Sequence, residues 1–147
     1  MTDLEATTRT IAAYLHDCVD EVDEDSSGTM SFPFGSTRVF IVVSETQGTT
    51  FVQLRAHVAH HVPTSHELMS WLAAGSDDLV FGHVTLTHEA GDSQHANVYI
   101  RHTLLASCLQ LEEMRLALAL VATAADRLDD IVVERFGGKR YVDVDDT

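Results

Sequence analysis

Basic residues, cysteines, prolines and long apolar runs are all scarce in this chain, and each scarcity removes a class of function. Eight arginines and one lysine stand against 23 carboxylates, for a net charge of -14. Phosphate backbones and anionic lipid surfaces are gripped by basic faces, so neither nucleic acid nor membrane is expected as a partner. The acidic excess implies solubility, self-repulsion and a preference for basic partners. The two cysteines, Cys18 and Cys108, lack metal or redox spacing. Both fall among apolar residues of predicted helices, where a buried free thiol is the ordinary state, and no disulfide is expected. No apolar run reaches the roughly 18 residues of a membrane span, and the polar N-terminus lacks a signal-peptide pattern. A cytoplasmic chain is expected. Its 147 residues match one domain, spanning 1–147, with no internal repeat.

Catalytic signatures are missing too. There is no G-x-S-x-G elbow, phosphate-binding P-loop or G-x-G-x-x-G, so no reaction class is supported and no cofactor is expected. "HEAGD", residues 88–92, begins like a zinc-protease motif, but Asp92 replaces the second histidine and the segment reads as a turn. Nine histidines include the cluster His57, His60, His61 and His66. On one extended strand His57 and His61 would stand about 13 Å apart, too far to share an ion without a neighbour such as His83. No metal site is expected. "DEDSSGTMSFPF", residues 23–34, starts like a calcium loop with Asp23, Asp25, Ser27, Thr29 and Ser31 around Gly28. Phe34 stands where the bidentate glutamate belongs and a strand pattern follows, so calcium binding is not expected.

What is present is a regular alternation of helix and strand patterns. A capping box at Thr2 and Glu5 opens a helix whose stripe runs Leu4, Ile11, Leu15, Cys18 and Val22. Carboxylates crowd its end, which should fray. "TMSFPF" reads as a strand kept at a sheet edge by Pro33. "TRVFIVVSE" is apolar on both faces, with Val39, Ile41 and Val43 on one and Phe40 and Val42 on the other. "TTFVQLRAHVAHH" has one wet face carrying Gln53, Arg55, His57 and His61. A box at Thr64 and Glu67 opens a short helix ended by Gly75. A hairpin follows, residues 79–88 and 95–105 about the turn "EAGDSQ", with Val80, Val84, Leu86, Val98 and Ile100 inward. A third box, Ser107 and Gln110, opens a long helix with a wide leucine stripe, stopped after Phe136 by Gly137 and Gly138.

The order α-β-β-β-α-β-β-α with short turns predicts an α+β fold: a five-stranded, mostly antiparallel twisted sheet with helices mainly on one face. With its "FPFGSTRVFIVVSE" hairpin and its leucine- and alanine-rich last helix, the pattern resembles the YbjN family, which shares its fold with class I type III secretion chaperones. That resemblance implies a small, acidic, usually dimeric, non-enzymatic protein that holds an extended segment of a client protein against apolar patches. The residues add surplus apolar surface on strand 38–45 and on the last helix, the usual mark of an interface. Phe40, Val42, Phe81 and Tyr99 are the candidate contacts. The rival reading is a metal- or pH-responsive regulator built on the histidine face, and zinc titration separates the two.

Overall fold

The computed structural model describes residues 3–144. Helix α1 (Asp3–Cys18) turns Ile11 and Leu15 into the core, while its expected cap, Thr2, lies outside the described residues. The predicted stripe continues to Val22, but the helix stops at Cys18. Asp17, Asp20 and Glu21 oppose the negative end of the helix dipole there. The next two acidic residues become a short strand instead. This β1 (Asp23–Glu24) pairs antiparallel with β2 (Met30–Phe34) and is fastened by an ion pair from Arg38 to Asp23. The sheet therefore has six strands rather than five.

Between β1 and β2 the supposed calcium loop is a tight turn. The Asp25 carboxylate accepts the amides of Ser27 at 2.9 Å and Thr29 at 3.0 Å, and Gly28 takes φ +87°. Hydrogen bonds, the Ser27 hydroxyl first among them, hold that carboxyl below its usual pKa. Phe34 continues as strand and no helix follows.

Strands β3 (Thr37–Thr46), β4 (Thr49–Pro63), β5 (His83–Glu89) and β6 (Asp92–Leu105) complete the antiparallel order β1-β2-β3-β4-β6-β5. One face buries Val39, Ile41, Leu54, Ala56, Val98 and Ile100. Helix α3 (Leu111–Phe136) lays Met114, Leu118, Val121, Ala125 and Val132 over it, joined by Ile11 and Leu15 of α1 and by Leu68 and Leu72 of α2 (His66–Ser76). The opposite face, with Phe40, Val42, Arg55, His57, Tyr99 and Arg101, has no helix over it. Among the described residues, only the turn Tyr141–Asp143 reaches it, through Tyr141.

Local signals were misplaced in several places. The cap of α2 is Ser65, whose hydroxyl accepts the Leu68 amide at 3.1 Å. Thr64 is pulled out of the cap because its own amide bonds the Gln94 carbonyl at 2.8 Å. Gly75 lies inside α2 rather than ending it. The helix runs on to Ser76, whose hydroxyl accepts the Val84 amide at 3.1 Å and ties the helix end to β5. Ser107 belongs to a 3₁₀ turn (Ala106–Cys108), so α3 starts at Leu111 behind Gln110 without a side-chain cap, and Cys108 is exposed rather than buried. The β5–β6 turn shrinks to Ala90 and Gly91, because Asp92 accepts the amides of Gln94 and His95 and starts the strand early. Val80 precedes β5 and is 78% exposed.

Strand β4 carries two irregularities, between His57 and Ala59 and between Ala59 and Val62. The residue they displace most is His61, at φ +55°. Beyond the start of β3, where the strand has lost its neighbour, His60 exchanges backbone hydrogen bonds of 2.7 and 2.9 Å with Lys139.

Candidate functional site

A groove opens where the end of α1, the outer side of β2 and the middle of α3 meet, apolar on the α3 side and mixed polar and apolar on the α1 side. One cavity of about 480 Å³ runs between Val19, Glu21 and Phe32–Phe34. A second, of about 160 Å³, continues from Val19, Phe32 and Phe34 onto Leu118, Ala119 and Ala122 of α3. Local sequence explains the opening. The acidic end of α1 pulls away into β1, and β1 pairs with β2 only at Met30 and Ser31. Phe32, Pro33 and Phe34 pair with β3 on one side but have no strand on their outer side among the described residues, and Pro33 brings no N–H to that edge. Phe34 is 38% exposed. Small side chains at Ala119 and Ala122 keep the floor low. Cys18, between the two cavities, has its thiol pKa raised, chiefly by burial. Carboxylates at Asp20 and Glu21 line one wall and Arg115 the other.

The β2–β3 turn beside the groove is held from α3. The Ser36 amide donates to Asp126 at 2.9 Å, and the Ser36 hydroxyl bonds both Asp126 and Asp129. Asp129 is fully buried, and burial pushes its carboxyl pKa up.

Of the four residues singled out from sequence, Phe40 and Tyr99 meet on the open sheet face around His57, at ring-centroid distances of 5.1 and 4.7 Å. Tyr141 closes over that cluster, 4.9 Å from His57. Val42 lies on the same face and is 38% exposed. Phe81 stands apart: it precedes β5, stacks on His102 at 4.7 Å and packs against the core side of the sheet. His57 and His60 form a half-buried pair, Nδ1 to Nε2 2.6 Å. Burial, then the neighbouring His60 and Arg55, lowers the His57 pKa to about 3. The bulges send His61 elsewhere, onto His95. The groove residues Val19, Leu118, Ala119 and Ala122 were missed, although the strand-edge Pro33 and the over-wide stripe of α3 were both visible signals of it.

Helices laid over one face of an antiparallel sheet, with a groove at the sheet's β2 end, define the α+β class of the chain. The chain belongs to the family described as "T3SS (YopN, CesT) and YbjN peptide-binding chaperone 1" (TY-Chap1), whose model matches residues 5–144. Among solved structures, it is similar to a chain of the crystal structure of the ExsC–ExsE complex, with a TM-score of 0.63 and 18% identity over 90% of this chain and 97% of that one. That likeness establishes the shared fold. No curated protein matches.

Proposed function

We propose that the protein is a non-enzymatic chaperone that keeps an extended, largely apolar segment of a client protein in the groove between α1, β2 and α3. The observation that carries this reading is the groove lined by Val19, Phe32, Phe34 and Leu118, with Phe34 exposed at its mouth, beside the unpaired side of β2, in a family of peptide-binding chaperones. Asp20 and Glu21 at its rim favour a client segment with flanking basic residues. Free thiols at Cys18 and Cys108 suit the cytoplasm. We further propose a homodimer as the working form, supported by exposed apolar side chains outside the groove, among them Met69, Leu116 and Ile131. Of the open-face residues, Val42 is accessible to a partner as it stands, whereas Phe40 and Tyr99 lie under Tyr141.

The test uses three baits for affinity capture and mass spectrometry in the native host: wild type, Ala119→Glu and Val42→Asp. Ala119 is exposed on α3, so its variant puts a charge into the groove without entering the core. A client retained by wild type and by Val42→Asp but lost by Ala119→Glu is expected. Equal retention by all three would remove the groove from the reading, and loss by Val42→Asp alone would move the site to the open sheet face.

A further inference from the structure

We propose that His61, Asp92 and His95 form a binding site for a single divalent transition-metal ion of the zinc class. The site lies where the end of β4 meets the β5–β6 turn, away from the groove at the β2 edge, and does not depend on the peptide-binding reading. Donor atoms of the three residues all lie within 4.8 Å of one another. The two imidazoles stack with centroids 3.8 Å apart and planes 4° from parallel. Asp92 is fixed from behind, since its Oδ1 accepts the amides of Gln94 at 2.9 Å and His95 at 3.2 Å. Its Oδ2 stands 3.0 Å from His95 Nδ1. Glu89 Oε1 lies 3.7 Å from His61 Nδ1.

Asp92 thus stands beside the Nδ1 of His95 and Glu89 beside that of His61, so carboxylate oxygens and ring nitrogens already converge on one spot. Zinc bonds of 2.0–2.2 Å in a tetrahedron put donors roughly 3.4 Å apart. The three groups close on an ion by at most about 1.4 Å, tilting the rings out of their stack, with Glu89 or water in the fourth position. Two imidazole nitrogens with carboxylate oxygen select zinc, copper or nickel over calcium and magnesium, which take oxygen shells. The backbone is committed to this meeting. His61 occupies the left-handed region at φ +55°, held by its amide on Asn97 Oδ1 at 3.0 Å, although its side chain is exposed and serves no part of the core. Strained positions of this kind collect at functional sites.

Titration of the full-length protein with zinc chloride by calorimetry at neutral pH is the test. One ion per chain with a micromolar Kd is expected, with a rise in melting temperature on saturation. His61→Ala and His95→Ala should each weaken binding about tenfold or more, and His83→Ala, at a remote exposed histidine, should not. Asp92→Asn keeps an oxygen acceptor for the turn amides, so it separates loss of a ligand from loss of the turn, and it too should weaken binding. Binding no tighter than about 100 µM, or binding undiminished in the folded His61→Ala/His95→Ala double variant, would overturn the proposal.

Discussion

Neighbouring residues on β3 answer to different environments. Ile41 is fully buried under the helices and Val42, one step along, is 38% exposed on the open face. Aspartate at 41 leaves an unpaired charge in the core, a cost far beyond the stability of a small domain, so Ile41→Asp should not fold. Val42→Asp should fold and stay within about 0.5 kcal/mol of wild type. Circular dichroism and urea melts decide it, and an unfolded Val42→Asp would mean that face is covered after all. His57 makes a second prediction at this scale. Its folded pKa, about 3, lies below the ordinary histidine value of about 6.5, so between those limits the unfolded chain binds the extra proton. Stability is fully present above the upper limit and falls as pH drops through the window, by at most about 1.4 kcal/mol per pH unit for this one proton. His60, also lowered by burial, adds to the fall, while Asp129, raised by burial, opposes it. His57→Phe keeps a ring among Phe40, Tyr99 and Tyr141 and should flatten the pH dependence relative to wild type in parallel melts. An unchanged slope would assign the effect to other groups.

Among the elements, alternation made β4 and the β5–β6 hairpin legible, a β-branched apolar run marked β3, and the paired glycines marked the end of α3. Bulges, by contrast, leave no trace in a polar–apolar pattern, so "HVAHHV" read as a straight strand and hid both the His57–His60 pair and the displacement of His61. Capping boxes misled for a physical reason. Thr64 and Ser107 had the right side chains, but the Thr64 amide was already committed to Gln94 and Ser107 to a 3₁₀ turn. The Lys139 contact with β4 depends on glycine. Gly138 has φ +90°, and a Cβ there would lie 2.6 Å from the His60 carbonyl oxygen and 2.8 Å from Val62. Gly138→Ala should destabilise by about 1–3 kcal/mol through strain and loss of the bridge. Gly48→Ala, also at positive φ but with nothing within 4 Å, should cost only about 1 kcal/mol. Urea denaturation compares them, and equal losses would show that the close approach to β4 does not matter.

For the whole molecule, element order and size were enough to suggest the family, because topology is written in the sequence of patterns. The groove was legible only through Pro33 and the wide stripe of α3, since it joins Val19 to Ala122 across α1, β2 and α3 and exists only once the sheet has formed. The proposed dimer carries its own signature at this scale. Two chains of net charge -14 repel, and salt screens that repulsion over about 8 Å at physiological strength, so an apolar interface should tighten as salt rises. Light scattering at tens of micromolar should give twice the chain mass, more completely at higher salt. A monomer mass, or dissociation with added salt, would count against it.

The strand pairing between His60 and Lys139 has a further consequence during synthesis. The ribosome delivers the chain N-terminus first, at about 5–20 residues per second, so β4 emerges long before either Lys139 or the α3 segment that roofs the sheet. For that interval Val39, Ile41 and Leu54 lack the α3 residues that cover them in the folded chain, and β4 lacks its last backbone partner. A chain from a family of peptide-binding chaperones thus passes through a stage of translation in which part of its own apolar face awaits its cover.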